Sequence, residues 1–277
     1  MRDTVCARPA RRWHGGKWLL APWVIDHMPA HRVYVEPFGG AASVLIRKPR
    51  SYAEVYNDLD DEVVNLFRVM RNAGKAEQLV HHLRLTPFAA AEFFAAYGQA
   101  DDDVERARRT VIKSFMGFGS NAIHRKSGFR SNSNRSGTTP ARDWLNYPDA
   151  LAAIVERLRG VVVTCRDAVE VMAAHDGPET LHYVDPPYVL STRTDEGADY
   201  AHEMTDAQHA DLVAFLRTVR GKVILSGYPS PIYDDGLASW RRVERRALAD
   251  GARARTEVLW MNFTPAVTGS LFARAAE

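Results

Sequence analysis

Four consecutive residues, Asp185-Pro186-Pro187-Tyr188, carry the groups in this sequence most suited to chemistry on a small planar molecule. They follow the apolar run Leu181-His182-Tyr183-Val184, which predicts a short buried strand. Neither proline has a backbone N–H, and both hold φ near about −65°, so the loop after the strand is stiff. Because ligands of open α/β sheets bind at the carboxyl ends of strands, we expect this loop to border a binding site.

The groups in this loop suit a planar base that bears an exocyclic amine. The carboxylate of Asp185 and a backbone carbonyl can accept the two N–H bonds of such an amine, and the ring of Tyr188 can stack on the face of the base. The simpler interpretation of these four residues alone is a strand that ends at proline, followed by a surface tyrosine.

A second cluster, of small residues, follows the predicted strand at residues 32–35, in the sequence Glu36-Pro37-Phe38-Gly39-Gly40-Ala41-Ala42-Ser43. Small residues here let a cofactor approach the backbone, and we expect a helix to begin near Ser43. A second strand at residues 53–56 ends at Asn57-Asp58, where an acid commonly binds ribose hydroxyls. This order predicts a site for an adenosine-containing cofactor. A phosphate-binding P-loop is disfavoured, because no Gly-Lys-Ser/Thr follows.

Two further charged residues stand at predicted element boundaries. Lys17 follows paired glycines and precedes a helical pattern over residues 18–28, where a cation opposes the helix macrodipole unless it faces an anion. A carboxylate or phosphate partner would explain this position, and so would a simple N-terminal turn. Asp167 follows the predicted strand at residues 161–165, where it could accept from an adenine amino group or cap the helix from Ala168.

Positive charge is concentrated in one part of the chain. The formal net charge is only +2, but residues 106–142 hold nine Lys and Arg and no acidic residue. Residues 117–139 are polar, glycine-rich and basic without a helical period, which predicts a loop or hairpin. Because Asn and Arg read adenine and guanine edges and Arg and Lys bind phosphates, this stretch suits nucleic acid. The alternative is a solvated basic face.

The length and composition predict one large domain, or one domain with a sizeable insertion. The chain has 277 residues, of which 46% are hydrophobic and 25% charged, as in ordinary globular proteins. No apolar run approaches the roughly 20 residues that span a bilayer, and the first residues lack the apolar core of a secretory signal. The two cysteines, Cys6 and Cys165, indicate neither a disulfide framework nor a metal cluster. The cytoplasm is the simplest compartment.

The rest of the sequence predicts further helices, strands and loops around these groups. Residues 189–200 are polar and form a candidate lid over the site. Thr205 is expected to cap a helix that ends at Val219. Two β-like runs around Asp250-Gly251 predict an antiparallel hairpin. The other predicted elements are a helix at 60–70, several helices within 75–119 that are interrupted at Pro87, Gly98 and residues 101–103, a helix at 147–159, a strand at 222–226, and the two runs at 240–247 and 255–263.

Taken in order, these motifs resemble those of the Dam-type DNA adenine-N6 methyltransferases, and the phage-type members are the most similar. The similarity covers nearly the whole chain. Cofactor motifs come first, then the target-recognition insertion, then the catalytic motif, as in the alpha arrangement of such enzymes. The motifs are Trp13-His14-Gly15-Gly16-Lys17, Glu36-Pro37-Phe38-Gly39-Gly40, Asn57-Asp58, Gly117-Phe118-Gly119-Ser120-Asn121, Asp185-Pro186-Pro187-Tyr188 and Glu257-Val258-Leu259-Trp260.

The resemblance implies an α/β fold, with a Rossmann-like S-adenosylmethionine-dependent methyltransferase sheet and a mainly helical target-recognition insertion. Residues 1–72 and 146–277 would form the catalytic domain, and residues 73–145 the insertion. The implied reaction transfers a methyl group from S-adenosylmethionine to the N6 amine of an adenine flipped out of DNA, without a metal. Methylation of RNA adenine or of cytosine N4 in DNA is an alternative, and so is a catalytically silent DNA-binding protein.

The resemblance also implies roles for individual residues. Lys17 would lie near the cofactor carboxylate, and Asp58 would bind the ribose hydroxyls. Asp185 and the Pro186 carbonyl would grip the target amine, while Tyr188 would stack on the extruded base. The implied cofactor-binding residues are Trp13, Lys17, Phe38, Gly40, Asp58, Asp167 and Asp185. The implied catalytic residues are Asp185, Pro186, Pro187 and Tyr188. The candidate DNA contacts are Asn121, Arg125, Lys126, Arg130, Asn132 and Arg135.

The implied partner is double-stranded DNA, bound by a monomer or weak dimer without a membrane. A restriction–modification system, a phage or a host is a compatible setting for such an enzyme. One departure from the family pattern is visible: Ala42 stands where many relatives have glycine. The extra methyl group tightens the loop slightly, and we expect cofactor binding to survive it.

Overall fold

A seven-stranded sheet lies at the centre of the computed structural model, which describes residues 6, 8–12, 16–118, 126–132, 138–192, 202–248 and 254–264. The strands are β1 (Val33–Glu36), β2 (Ala53–Asn57), β3 (Val161–Thr164), β4 (Thr180–Val184), β5 (Lys222–Gly227), β6 (Arg241–Leu248) and β7 (Ala254–Met261). Their order across the sheet is β3-β2-β1-β4-β5-β7-β6. The first five in this order are parallel, and β7 runs antiparallel between β5 and β6.

The parallel strands are short and apolar because helices cover both faces of the sheet. All five residues of β4 are buried, including His182. The chain runs outward from β1 through β2 to β3, and then returns to β4 on the other side of β1. The order therefore reverses between β1 and β4, and ligands of open α/β sheets bind at such a switch point. The α/β class and the methyltransferase-like sheet are confirmed.

Helices pack on both faces of this sheet. Side chains cap most of their first turns, as Asp60, Asp102 and Thr205 do, the last in a full capping box with Gln208. Within the described part of the chain, no helix is long and apolar enough to span a bilayer. The helices are α1 (Ala21–Asp26), α2 (Asp61–Arg71), α3 (Ala73–Leu85), α4 (Ala90–Ala95), α5 (Asp103–Met116), α6 (Pro140–Leu158), α7 (Ala168–Ala174), α8 (Asp206–Leu216) and α9 (Pro231–Gly236).

Several element boundaries differ from the sequence-based expectation, and one of them is the end of α8, which lies at Leu216 rather than Val219. No regular helix begins near Ser43, because Gly40 and Ala42 have positive φ of 49° and 53° and the following residues form isolated turns. Helix α1 begins only at Ala21, with a proline in its first turn. Helix α6 begins at Pro140, because Thr139 caps it and proline suits the first turn. The antiparallel hairpin of β6 and β7 is confirmed.

The helices of residues 73–145 share one hydrophobic core with the sheet. Leu79, Phe93 and Val111 of this region belong to the same buried cluster as Tyr34 and Tyr56 of the sheet. Helix α5 also packs directly on α2, and α3 packs on α6. The described residues of this region therefore do not form a separate domain with a hydrophobic core of its own. The division at residues 73 and 145 stays a prediction about function.

Part of the expected basic surface is neutralised within the protein. The guanidinium of Arg106 lies 2.7 Å from Asp61 and 2.8 Å from Glu62. Arg108 and Arg109 each form an ion pair with Glu105, at 2.6 and 2.7 Å. Because acids of α2 and of α5 itself face these three arginines, this part of the basic run is not a free polyanion-binding surface.

Candidate active site

A cavity of about 360 Å³ opens at the switch point of the sheet, beyond the carboxyl ends of the parallel strands. This size falls in the range of roughly 300–1,000 Å³ that small-molecule sites usually have. The loops after β1, β2, β3 and β4 form one side, and α8 contributes the other. Its lining includes Lys17, Glu36, Phe38, Gly40, Asp58, Asp167, Asp185, Pro186, Pro187, Met204 and Phe215.

Asp185 is held by one of its two carboxylate oxygens. Lys17 Nζ lies 2.8 Å from Oδ1, and Ser226 Oγ donates to the same oxygen at 2.6 Å. Ser226 is itself 3.0 Å from the hydroxyl of Tyr183. Strands β4 and β5 are neighbours with Val184 opposite Leu225, so the next residues, Asp185 and Ser226, lie side by side at the sheet edge. These contacts fix the orientation of the carboxylate.

Two acceptors at this edge remain open for a ligand. Among the described residues, neither Oδ2 of Asp185 nor the carbonyl oxygen of Pro186 has a hydrogen-bond partner. The side chain of Asp185 is 19% exposed, and both residues line the cavity. Because Oδ1 is already occupied, a bound amine would meet Oδ2 and the carbonyl, which can accept one N–H bond each.

Lys17 is buried and joins two groups of the site. Its ammonium contacts Asp185 and donates to the hydroxyl of Tyr188 at 2.9 Å. Burial lowers the pKa of Lys17, but the charges of Asp185 and Glu257 outweigh burial, so the pKa lies well above its ordinary value. The anion that the sequence suggested for Lys17 is thus a carboxylate of the protein itself. Helix α1 begins four residues later, at Ala21, so Lys17 is not in its first turn, where a cation would oppose the helix macrodipole.

The ring of Tyr188 is enclosed by its neighbours and only 6% exposed. Its hydroxyl donates to Glu257 Oε1 at 3.1 Å, and its ring stacks on Tyr228 with centroids 4.1 Å apart and planes at 7°. Burial raises the pKa of Glu257, the Lys17 charge lowers it, and the Asp185 charge raises it again, leaving it above the ordinary value. In this arrangement one face of the Tyr188 ring is covered by Tyr228.

The glycine loop after β1 is fastened to Asp58. Asp58 accepts from the backbone N–H of Gly40 at 2.8 Å and from that of Asp60 at 2.9 Å. Burial raises the pKa of Asp58 above its ordinary value. Gly39 packs so closely on Tyr56 that a Cβ at this position would lie 2.0 Å from the ring. The loop therefore follows the surface of β2, and its backbone faces the cavity.

Glu36 is a buried carboxyl in the cavity wall that the sequence-based list of site residues omitted. Its Oε2 accepts from the Tyr34 hydroxyl at 2.7 Å and from the N–H of Leu45 at 3.0 Å. Burial is the main cause that raises the pKa of Glu36 to about 8, and the nearby charge of Asp185 acts in the same direction. At neutral pH Glu36 therefore carries a proton and places no negative charge beside Asp185.

The remaining predicted cofactor residues occupy the rim of the cavity, as far as the structure describes them. Phe38 and Gly40 line the cavity directly. Asp167 lines it too, and its Oδ1 caps α7 by accepting from Val169 N at 2.9 Å and Glu170 N at 3.1 Å. The capping interpretation of Asp167 therefore applies, and a contact with adenine stays a prediction. Trp13 lies outside the described residues.

The expected hairpin in the basic segment has a short paired base. Phe118 N donates to Gly128 O at 2.8 Å, and Arg130 N donates to Met116 O at 2.8 Å. The side chain of Arg130 is only 8% exposed and donates to the carbonyl of Phe115 at 3.3 Å, so it is committed to the protein. Lys126 and Asn132 are exposed. The other candidates, Asn121, Arg125 and Arg135, lie outside the described residues, as do residues 193–200 of the candidate lid.

Besides Glu36, three residues of the site had no role assigned from the sequence: Ser226, Tyr228 and Glu257. Each lies on, or directly after, a strand that only the sheet order places beside Asp185. The available signal was the sequence Ser226-Gly227-Tyr228 at the carboxyl end of a predicted strand. Asp185 likewise stands at the carboxyl end of β4, so residues at the end of the neighbouring strand were candidates for the same site.

Comparison with known proteins identifies similar chains. A family model described as D12 class N6 adenine-specific DNA methyltransferase matches residues 13–246. The DNA adenine methylase of Escherichia coli (strain K12) is 24% identical over 206 residues, which are 73% of this chain and 72% of that protein. The DNA adenine methylase of Salmonella typhi is 23% identical over 269 residues, 92% of this chain and 95% of that protein. That of Vibrio cholerae serotype O1 (strain El Tor Inaba N16961) is 23% identical over 275 residues, with the same coverage.

Proposed function

The chain belongs to the D12 class N6 adenine-specific DNA methyltransferases, and from this membership we propose that its methyl donor is S-adenosylmethionine and that its target adenine is extruded from the DNA. As an adenine-specific DNA methyltransferase it needs a site that binds the amine of the base next to a methyl donor. The observation that carries the proposal is Asp185, which has one oxygen locked by Lys17 and Ser226 and the other open beside the cavity.

The residues of the cavity fit S-adenosylmethionine. Asp58, Asp167 and Asp185 supply acceptors for hydroxyl and amino groups and suit a cationic ligand, and Phe38 with the Gly40 backbone supplies an apolar wall. We assign Asp58 to the ribose hydroxyls, Asp167 to the adenine amine, and Phe38 and Gly40 to the methionine side. Lys17 lines the same cavity and also holds Asp185. The cofactor supplies a methyl group on a positively charged sulfur, which an amine nitrogen can attack.

Asp185 and Pro186 prepare the amine for this attack. The lone pair of an adenine amine is delocalised into the ring and is a poor nucleophile. When Oδ2 of Asp185 and the Pro186 carbonyl accept both N–H bonds, the nitrogen becomes pyramidal and its lone pair points out of the ring plane. Lys17 and Ser226 hold the carboxylate in place, so catalysis rests on positioning and electrostatics without a covalent intermediate.

Extrusion of the adenine costs a few kcal/mol of stacking and pairing, and an aromatic contact in the enzyme offsets part of this cost. We propose Tyr188 as that contact. Because Tyr228 stacks on one face of Tyr188, an adenine bound to that face would have to displace Tyr228. The loop that carries Tyr228 follows β5 directly, so such a movement needs no change in the sheet.

The DNA contacts belong to the segment between α5 and α6. We propose Lys126 and Asn132, which are exposed, together with Asn121, Arg125 and Arg135. Residues 73–145 would carry target recognition, and double-stranded DNA is the proposed form of the substrate. We leave Arg130 out of the interface, since its side chain is bonded to Phe115.

The proposal is tested by incubating the protein with S-adenosylmethionine and unmethylated genomic DNA, and then mapping N6-methyladenine by single-molecule sequencing. We expect modified adenines in one short motif, and none with Asp185→Ala. S-adenosylmethionine binding, measured by calorimetry without DNA, shows whether the donor assignment holds independently. Modified RNA adenine or N4-methylcytosine in place of N6-methyladenine would contradict the assigned substrate, and full activity of Asp185→Ala would contradict the role of this carboxylate.

A further inference from the structure

The hairpin of β6 and β7 extends beyond the sheet at the catalytic edge. The pairing of β5 with β7 ends at Gly227 opposite Val258, whereas β7 continues to pair with β6 over residues 254–257. Their partners on β6 are residues 245–248. We call these eight residues, 245–248 and 254–257, the arm. At about 3.3 Å per residue the arm projects roughly 13 Å past the end of β5.

The pairing register defines which arginines of the arm share a face with the active site. Residues directly opposite each other in an antiparallel pair have side chains on the same face, and so do residues two apart on one strand. Arg245 pairs with Glu257, which accepts from the Tyr188 hydroxyl. Arg255 stands two residues from Glu257, and its guanidinium carbon lies 5.9 Å from the ring centroid of Tyr228. Arg245 and Arg255 therefore lie on the face that carries Tyr188.

The charge of the arm is not neutralised on the β6 side. Arg245 and Arg246 are both exposed, and neither forms an ion pair with any described residue. By contrast, Arg242, near the start of the same strand, forms ion pairs with Asp234 at 2.8 Å and with Glu244. Guanidinium groups bind phosphates through two parallel N–H bonds. Arg246, the next residue on the strand, points to the opposite face, whereas Arg245 lies on the face of Tyr188. The exposed guanidinium of Arg245 beside a site for a DNA base therefore suits the backbone of that DNA.

We propose that the arm binds the phosphates that flank the extruded adenine, with Arg245 and Arg255 on the strand that carries the target base. The proposal rests on the extrusion proposed above, because an adenine that reaches Asp185 brings its own sugar and phosphates to the catalytic edge. Tyr228 lies between Arg255 and the Tyr188 ring, so Arg255 stands one aromatic ring away from the proposed base site. The arm thus acts as a second contact on the DNA, in addition to the one proposed for the basic segment between α5 and α6.

The test compares Arg245→Gln with Arg241→Gln. Arg241 is also exposed and lies on the same face of β6, but it pairs with Met261 at the other end of the strand. Binding of a short duplex that carries the mapped target motif is measured from roughly 50 to 200 mM salt. We expect Arg245→Gln to weaken binding roughly eightfold at about 0.1 M salt and to reduce the salt slope by about 0.9, the value for one phosphate contact. Arg241→Gln should match the parent.

Two further measurements separate the arm from the proposed function. Arg245→Lys keeps a cation and should retain most of the salt slope, while S-adenosylmethionine binding should be unchanged in every variant. A duplex with 2-aminopurine at the target position reports extrusion of that base by an increase in fluorescence. If the parent protein gives no increase, the extrusion proposal fails, and the arm proposal, which rests on it, fails as well. If the parent extrudes the base but Arg245→Gln and Arg255→Gln keep the parental salt slope, the arm proposal alone is overturned.

Discussion

At the scale of single residues, the orientation of Asp185 depends on neighbours that are distant in sequence. One oxygen receives both Lys17 and Ser226, and this leaves the second oxygen for the substrate amine. Tyr183 stands behind Ser226, and within the described part of the chain no hydrogen bond joins it to Asp185. Ser226 is therefore a positioning residue, and its effect on the reaction should appear in turnover rather than in binding.

We expect Ser226→Ala to lower kcat about 10- to 100-fold, since a hydrogen bond to a charged group is worth roughly 1.5–3 kcal/mol. KM for S-adenosylmethionine and for DNA should change little. Tyr183→Phe is the matched control, because it removes only the outer hydroxyl and should cost less than Ser226→Ala. Steady-state kinetics of both variants measure this difference, and an effect confined to KM would contradict the positioning role.

Glu36 gives a second prediction at this scale, on stability against pH. Its pKa is raised from 4.5 to about 8, so between these values the folded protein keeps a proton that the unfolded chain releases. The stability that this group contributes therefore falls as pH rises through that window and is constant above it. Glu36→Gln does not titrate, and its single oxygen can accept from both Tyr34 and Leu45 as Oε2 does.

From pH 5 to pH 8, Glu36→Gln should thus gain stability relative to the parent, by roughly 3.5 kcal/mol over this range. Denaturant unfolding of both proteins at several pH values measures the difference, in which all other titrating groups cancel. Parallel stability curves for the two proteins across this range would contradict a raised pKa at Glu36.

At the scale of elements, the loop after β1 shows two different constraints on small residues. Gly39 lacks space for a side chain, because Tyr56 fills it and donates to the Gly40 carbonyl at 2.7 Å. Ala42 has space but holds a φ of 53°, which costs an L-residue roughly 1–2 kcal/mol. The family pattern's expectation of glycine at position 42 thus has a reason in backbone conformation, and Gly39 has one in packing.

We expect Gly39→Ala to destabilise the protein by at least about 2 kcal/mol, because the new methyl group would force a buried ring to move. Ala42→Gly should stay within about 1 kcal/mol of the parent. Relief of strain is offset there by the greater freedom of glycine in the unfolded chain and by the loss of one buried methyl. Thermal unfolding of the two variants side by side tests both expectations, and a stable Gly39→Ala would contradict the packing argument.

The elements differ in how far the sequence predicts them. Strands β1, β2, β4 and β5 and the closing hairpin follow from apolar runs bounded by Gly, Pro and Asp, so their places could be predicted. The missing helix after Gly40 depends on a positive φ at an alanine, which no propensity indicates. Asp185 and Lys17 could be found by their motifs. Ser226, Tyr228 and Glu257 could not, because their roles depend on which strands become neighbours.

At the scale of the whole molecule, one core joins the sheet to the helices of residues 73–145. Phe93 of α4 is fully buried in the cluster that also contains Tyr34 of β1 and Leu259 of β7. A region proposed to recognise DNA is therefore fixed rigidly to the region proposed to transfer the methyl group. Cooperative unfolding of the two regions follows from this shared packing.

Phe93→Ala should destabilise the entire chain by about 3–5 kcal/mol and lower the temperature of a single transition. Calorimetry gives the number of transitions, and hydrogen exchange compares amides of α4 with those of β1. If α3 to α5 melted first while the strands kept their protection, the region would be an independent domain and the shared core would have little energetic weight. Phe94→Ala on the same helix is the control, since that side chain is exposed.

The position of β7 between β5 and β6 has a consequence for the synthesis of the protein. A ribosome releases β5 and β6 before β7, yet in the finished sheet β7 separates them. Until it arrives, the edge of β5 has no partner from this hairpin and could pair with other nascent chains. The Tyr188 hydroxyl also lacks Glu257 during this interval. Chaperone contact is thus most needed just before this strand emerges, and a chain still in translation does not yet have a complete active site.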